Sequence, residues 1–486
     1  MSRSSGCSRR SGSGSARRRL PRPAHPRAPR RSRASSRGLE DSAIPIAFDP
    51  IVALATPPGR SALALIRMSG AGVFDIAARV IHPFRIDAPR RSWLADFHDS
   101  GGALIDRGVY AIFPEPASYS GEDLVEICCH GGLVGPARLM AALQAAGARQ
   151  ALPGEFTRRA VLNGKMDLLQ AEAVADLVDA TATAQARAAL HQLDGGLSRR
   201  LQLLRVELID LLALLSYAID FPEEDDGPLD LERVSAQHGV VLQQVDRLLA
   251  TAPMGQRLRE GALVVLAGMP NAGKSSLFNA LLGADRALVT ETPGTTRDAI
   301  EAGAEFDGWP VRLVDTAGLG PTDDRIDRMG MAMSRRYIDA ADLVLLCVEA
   351  SRPVDASDTA LAGGREMLVL RTKADLARPD DGGLPVSVVS GEGLDQVRRL
   401  GAERVSDGQA AAADLEPALT RVRHREALTR AREALLEARA QFQPDGDVVL
   451  AAHHVHQAAA ALDELVGTVD VEQVFDRVFA SFCIGK

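Results

Sequence analysis

At 486 residues, 46% hydrophobic and 25% charged, the chain holds enough apolar material for several cores, and its length argues for roughly three domains. No apolar run reaches the ~20 residues of a membrane helix, and five scattered cysteines without a CxxC spacing exclude a disulfide framework and a zinc ribbon, which suits a reducing compartment. The net charge of −8 is uneven: Met1 to Leu39 carries twelve Arg and no acid, so the remaining body is strongly acidic and would need another protein to supply most of the basic surface for a nucleic-acid substrate.

Residues 1–47, rich in Arg, Ser and Pro, have the composition of an organellar transit peptide but little apolar face. A disordered extension and an overlong gene start stay open beside that reading. Over residues 48–163, short β-rich runs such as "ALALIRMSG" and "EDLVEICCHGG" alternate with Gly and Pro and with a helical stretch after Gly135, the pattern of a compact α+β domain. Residues 164–260 read as helix, with Leu201, Leu204, Leu208, Leu211, Leu212 and Leu215 at the three- and four-residue spacings of a bundle core. The acidic "DFPEEDD" reads as a solvated loop to which no metal is assigned. At Gly261 the pattern turns to strand, Gly-rich loop and helix, an α/β character that lasts to residue 405, and helix resumes over 406–486. A helical region interrupted in this way predicts an insertion, the two helical pieces packing together and carrying the α/β domain between them. The chain closes on "ASFCIGK"; a frayed end has no use for adjacent Phe and Cys, so a docked terminus is expected.

Chemistry concentrates in the α/β block. "LVVLAGMPNAGKSS" sets an apolar strand before Gly268, Gly273, Lys274 and Ser275, the GxxxxGK(S/T) loop in its strand-loop-helix context. Glycines let backbone N–H groups wrap phosphates, Lys274 meets the terminal phosphates and the Ser275 hydroxyl ligates Mg²⁺. "TPGTTRD" offers Thr295 and Thr296, one of which closes over the γ-phosphate and Mg²⁺, and "VDTAG" puts Asp315 at a strand end with Gly318 free to turn. In "TKAD", Asp375 can accept two hydrogen bonds from a guanine edge, which adenine does not offer, and "SGEG" supplies Ser390 to the last base-side loop. The expected nucleotide contacts are Asn271, Ala272, Gly273, Lys274, Ser275 and Ser276; Thr292, Pro293, Gly294, Thr295 and Thr296; Asp315, Thr316, Ala317 and Gly318; and Thr372, Lys373, Ala374, Asp375 and Ser390, to which the family resemblance given below adds Thr290 and Glu291. Together they indicate GTP rather than ATP. No Gln follows Gly318 closely and no arginine finger is evident, so another group must neutralise the transition state.

With these motifs, and with "ATPPGR", "SGEDLVEICCHGG", "PGEFTRRAVLNGKMDLLQAEAVADLVDA" and the terminal "FCIGK", the chain from Phe48 to Lys486 resembles the tRNA modification GTPases that act on the wobble uridine. The resemblance implies an α+β amino-terminal domain that dimerises and binds a reduced folate (5-formyl- or 5,10-methylene-tetrahydrofolate), an all-helical central domain, and a P-loop GTPase domain inserted into it. It carries the folate contacts onto Arg67, Glu126, Lys165 and Lys486, and brings Cys483 near the reaction as a nucleophile, a redox thiol or a packing group. It also implies a K⁺ ion in place of the arginine finger, held by Asn271, Thr290, Thr292 and Thr295, with Mg²⁺ on Ser275 and Thr296. The catalytic set is then Lys274, Asp327 and Cys483.

Three positions depart from the family pattern. Thr372 stands for an Asn, which should weaken guanine affinity more than alter the choice of base. Asp327 stands for a water-positioning Glu one methylene longer, and Gly320 for an Arg, so slow hydrolysis is expected. The implied enzyme is a homodimer that joins an FAD-dependent partner in a heterotetramer and, with GTP, adds an aminomethyl-type or carboxymethylaminomethyl group to carbon 5 of the wobble uridine of certain tRNAs. Glycine or ammonium would supply the nitrogen. It would work in the cytoplasm, or in the mitochondrial matrix if the head is a transit peptide, and away from membranes. The competing reading is a ribosome-assembly or RNA-associated switch GTPase, which would be expected to carry a basic RNA-binding module that the acidic helical flanks do not resemble. A folate-dependent methyltransferase would leave the GTPase motifs unexplained.

Overall fold

The structure is a computed structural model that describes residues 49–220, 231–283, 300–316, 326–379, 382–408, 418–443 and 445–466, with Phe482 and Gly485. The expectations placed on residues 1–47 and on the acidic loop at 221–226 lie outside the described residues.

The amino-terminal region runs β1 (Ile51–Leu54), β2 (Leu63–Ser69), α1 (Val73–Val80), β3 (Ile81–His82), β4 (Trp93–His98), β5 (Leu104–Phe113), β6 (Leu124–His130), α2 (Gly135–Ala145), β7 (Arg149–Gln150) and α3 (Glu155–Leu162). Its seven strands form one sheet in the order β3-β4-β5-β6-β2-β1-β7. Period-two alternation decides its faces. Ala64, Ile66 and Met68 of β2 and Val125 and Ile127 of β6 enter a core shared with Ile76 and Ala77 of α1 and Leu139 and Leu143 of α2. The residues between them, Arg67 on β2 and Glu126 on β6, face the other way and stand directly opposite each other in the antiparallel register.

Helices α4 (Leu168–Asp179), α5 (Thr183–Leu193), α6 (Gly196–Asp220), α7 (Leu231–Ala250) and α8 (Ala252–Glu260) follow. A capping box starts α4: Asp167 accepts from the Gln170 amide at 2.8 Å while the Gln170 side chain accepts from the Asp167 amide at 3.0 Å. From α8 the chain passes into β8 (Ala262–Ala267), α9 (Lys274–Leu282), β9 (Ile300–Phe306), β10 (Trp309–Asp315), α10 (Ile326–Ala340), β11 (Leu343–Glu349), α11 (Ala356–Ala360), β12 (Met367–Thr372), β13 (Leu384–Val386) and α12 (Leu394–Val405). This second sheet has the order β13-β12-β11-β8-β10-β9, parallel throughout except for β9. Both faces are covered, with Val264 and Leu266 in one core and Leu263 and Val265 in the other, which is why β8 is apolar at every position instead of alternating.

The last helices, α13 (Val422–Ala440) and α14 (Val448–Val466), return to the bundle. Leu204, Leu208, Leu211 and Leu215 of α6 share one core with Val241 and Val245 of α7, Leu428 and Leu435 of α13 and Val455 and Leu462 of α14. The leucine stripe therefore does what its spacing predicts, and the P-loop domain is inserted between two halves of one helical core. A polar tie reinforces that closure: buried Glu172 of α4 takes His424 at 2.7 Å and Arg423 at 3.1 Å, while Arg421 reaches Asp176 at 2.6 Å.

Candidate nucleotide site and a second site on the open sheet face

The P-loop follows β8 at the carboxyl edge of its sheet, where ligands of open α/β sheets bind. Gly268, at φ 147, leaves no room for a Cβ because the Cys347 carbonyl of β11 lies against it. Asn271 at φ 64 and Gly273 at φ 87 are also left-handed, the kind of turn that gathers successive N–H groups into one anion-binding hollow. Lys274 opens α9 at 7% exposure, and its Nζ donates to the Gly268 carbonyl at 2.8 Å and the Met269 carbonyl at 2.9 Å. Burial holds this lysine below its ordinary pKa, against the opposing pull of Cys347 and Asp315. A buried cation folded over a hollow of amides at a helix N-terminus suits a polyphosphate. Ala272 is buried in the loop, and Ser275 and Ser276 stand exposed in the first turn of α9. Asp315 is 1% exposed at the end of β10, and the Thr316 hydroxyl after it donates to the Leu266 carbonyl at 2.7 Å.

The base-side loops converge on the same edge. Thr372 ends β12, and its hydroxyl donates to the Ala272 carbonyl at 2.8 Å. The departure from Asn thus keeps a tie between the base-side strand and the P-loop. Lys373 is left-handed at φ 57 and pairs with Glu349, while the Ala374 amide donates to the Val386 carbonyl at 3.1 Å. Asp375 accepts from the Ser387 hydroxyl at 2.6 Å. Ser387 is fully buried and also receives the Ser390 amide at 3.2 Å, whereas the Ser390 hydroxyl accepts from the Glu392 amide at 3.3 Å. Ser387 is the residue that the sequence reading missed. Its signal was its place immediately after β13, on the ligand edge of the sheet.

Thr290, Glu291, Thr292, Pro293, Gly294, Thr295, Thr296, Ala317, Gly318 and the side chain of Asp327 lie outside the described residues. Of the expected metal ligands only Asn271 and Ser275 are described, and both are exposed at the mouth of the hollow.

A second constellation occupies the open face of the first sheet. Arg67 donates to Glu126 Oε1 through Nε at 3.0 Å and Nη2 at 2.7 Å. Its guanidinium lies 5.1 Å from the Tyr119 ring centroid and 5.8 Å from that of Phe156. Nη1 reaches the Gly485 carbonyl at 3.5 Å, and Phe482 is buried against Leu168, Ala171 and Ala175, so the expected docking of the terminus is observed at these two residues. Cys483 and Lys486 lie outside the described residues. Lys165 Nζ donates to the Pro116 carbonyl at 3.0 Å, in the loop that also carries Tyr119. Beneath lies a buried polar network: Ser69 donates to Glu122 at 2.7 Å, and Arg159, 1% exposed, bonds Glu122 at 3.2 Å and Glu155 at 2.8 Å. Burial pushes the Glu122 carboxyl above its usual pKa, although Ser69 and Arg159 pull it down. The stretches "SGEDLVE" and "PGEFTRRA" are thus occupied largely by this network rather than by residues open to a ligand.

Two family models match the chain. One, described as the MnmE helical domain, covers residues 168–483, and the other, described as the GTP-binding protein TrmE N-terminus, covers residues 50–165. The chain belongs to the MnmE family. A tRNA modification GTPase MnmE of Thermus thermophilus is 44% identical over 443 residues, covering 90% of this chain and 99% of its own. MnmE of Aquifex aeolicus is 38% identical over 455 residues, with 90% of this chain and 100% of its own covered. Among solved structures, the G domain of the T. maritima FeoB protein covers 30% of this chain and 98% of its own at 26% identity and a TM-score of 0.23. In MnmE terms, the first sheet falls within the TrmE N-terminal match, and the match to the helical domain spans the inserted P-loop block.

Proposed function

We propose that this chain is a GTP-hydrolysing tRNA modification enzyme which, with an FAD-dependent partner, adds a carboxymethylaminomethyl or aminomethyl group to carbon 5 of the wobble uridine of certain tRNAs. The observation that carries the GTPase half is buried Lys274, folded over a left-handed loop on the ligand edge of a parallel sheet, in a chain of the MnmE family. Lys274 and the P-loop amides would hold the phosphates, Ser275 would hold Mg²⁺ and Asn271 would hold K⁺. These cations, when bound, neutralise charge that develops on the phosphate oxygens. Asp375, oriented by Ser387, selects the guanine edge. Asp327 positions water.

The folate belongs to the Arg67 site, and when bound it supplies a one-carbon unit. The donor set fits: a carboxylate for the amino and ring N–H groups of a pterin at Glu126, and cations for the glutamate tail at Arg67, Lys165 and Lys486. Cys483 is assigned to the chemistry of this site. A homodimer through the same sheet is supported by Leu94, 68% exposed and opposite Val109 on β5, an apolar pair for a second copy to cover. The domain limits proposed are 48–163, 164–260, 261–405 and 406–486.

The test is reconstitution from purified components: this chain, the FAD enzyme, unmodified tRNA, GTP, ammonium and tetrahydrofolate carrying a labelled one-carbon unit. Label is expected in the wobble nucleoside only when GTP and this chain are both present. Unlabelled product, or product formed without this chain, contradicts the proposal.

A further inference from the structure

We propose that the loop between β3 and β4, residues 83–92, is a contact site for RNA phosphates that holds the tRNA beside the Arg67–Glu126 site; the inference rests on the tRNA reading above and names its contact surface. The segment reads "PFRIDAPRRS", three arginines against the single acid Asp87, in a body whose charge is otherwise strongly negative. Many of the other arginines of this domain are neutralised: Arg107 pairs with Asp96, Arg138 with Asp99, Arg149 with Asp49 and Arg159 with Glu122, while exposed Arg79 is tied to the Ala146 carbonyl at 3.1 Å. Arg85 and Arg91 are exposed, and among the described residues neither makes an ion pair or a side-chain hydrogen bond.

Arg85 is also held in place, and the backbone beside Arg91 is tied down. The Arg85 guanidinium lies over the Trp93 ring at 4.8 Å, which fixes its plane and leaves its N–H edge to bond a phosphate. Arg90, left-handed at φ 60, anchors the loop: its amide donates to the Ile112 carbonyl at 2.9 Å and its Nη2 to the Ala117 carbonyl at 3.0 Å. Ala117 lies between Pro116, whose carbonyl holds Lys165, and Tyr119, whose ring lies on Arg67. One short segment therefore joins the arginine loop to the candidate folate contacts, with exposed Glu115 as its own acid. A polyanion held on Arg85 and Arg91 is brought to the edge of that site, the position a tRNA needs if its wobble base is to receive a carbon there.

The experiment uses the full chain and a fluorescent, unmodified tRNA transcript titrated at several salt concentrations. Replacing Arg85→Ala and Arg91→Ala together should weaken binding about tenfold at low salt and lower the slope of log affinity against log salt by about 2. The Arg85→Lys, Arg91→Lys pair should keep most of the slope, and both variants should retain native melting and GTPase rates, since neither residue is near the P-loop. An unchanged salt slope in the alanine pair, or no salt-dependent tRNA binding by the native chain, overturns the proposal. Failure of the wider tRNA reading would look different: the wobble nucleoside would then persist in cells lacking the whole protein.

Discussion

Arg67 and Gly485, 418 residues apart in the chain, meet at 3.5 Å between a guanidinium nitrogen and a main-chain carbonyl. At that length the bond is weak, and it is not what holds the tail. Phe482, buried against α4, contributes on the order of 2 kcal/mol by its apolar area and does the anchoring. The terminus is in this way fastened to the helical domain three residues before it reaches the sheet, and the Arg67 site is bordered by two domains and the chain end.

Gly485 tests that arrangement. Its φ of 101 is left-handed, and a Cβ there would meet the Leu54 carbonyl at 2.7 Å and Ala55 Cα at 2.8 Å. Gly485→Ala should lift residue 485 off the sheet while Phe482 keeps its seat, at a strain of roughly 1 kcal/mol or more. Carboxypeptidase should trim the variant faster than the native chain, with an unchanged melting temperature and reduced tRNA modification. Equal trimming and equal modification would show that the contact is incidental.

Thr372→Val should weaken GDP and GTP binding about tenfold. The substitution removes the donor to Ala272 and leaves a buried carbonyl short of a partner, a cost of ~1–2 kcal/mol, and it loosens the loop that orients Asp375. Titration with a fluorescent guanine nucleotide measures it. An unchanged affinity would mean that the tie orders nothing the nucleotide uses.

What the sequence disclosed and what it concealed follow from the range of the forces involved. The P-loop was legible because phosphate binding demands a fixed local spacing from Gly268 to Ser275, and the α6 stripe because burial of one helix face imposes its own period. The pairing of Arg67 with Glu126 depends on the register of β2 against β6, which local pattern does not specify; only family resemblance brought the two together. Ser387 and Ser390 both precede the same glycine turn, so local pattern does not separate them, and only the fold shows which hydroxyl reaches Asp375. The Glu172–His424 pair, 252 residues apart, was invisible for the same reason.

That pair has a pH signature. Burial raises the Glu172 carboxyl, but the His424 imidazole, Arg423 and Arg421 outweigh it and hold the pKa at about 2, below the ordinary 4.5. Because the folded value is the lower one, the stabilisation is complete above pH 4.5 and is lost as pH falls toward 2. Neighbouring Asp176 is shifted the other way by burial and partly offsets it. Glu172→Gln should cost roughly 3 kcal/mol at pH 7 and flatten the acid limb of stability. Denaturant unfolding at pH 7 and pH 3 reads both; an equal loss at the two values would contradict the assignment.

Potassium supplies a further test. If a K⁺ ion at Asn271 replaces the arginine finger, GTP hydrolysis should run roughly tenfold or more faster in K⁺ than in Na⁺ at equal ionic strength, short of the ~10³-fold or greater gain from a finger. Asn271→Ala should remove the difference between the salts. Equal native rates in both salts would eliminate the ion from the mechanism.

The most direct measurement is mass spectrometry of tRNA nucleosides from cells lacking this protein, complemented with the native chain or with Lys274→Ala. Loss of the 5-substituted wobble uridine, restored by the native chain and not by the variant, is the expected result. A nucleoside profile unchanged by removal of the protein would contradict its assignment to wobble-uridine modification.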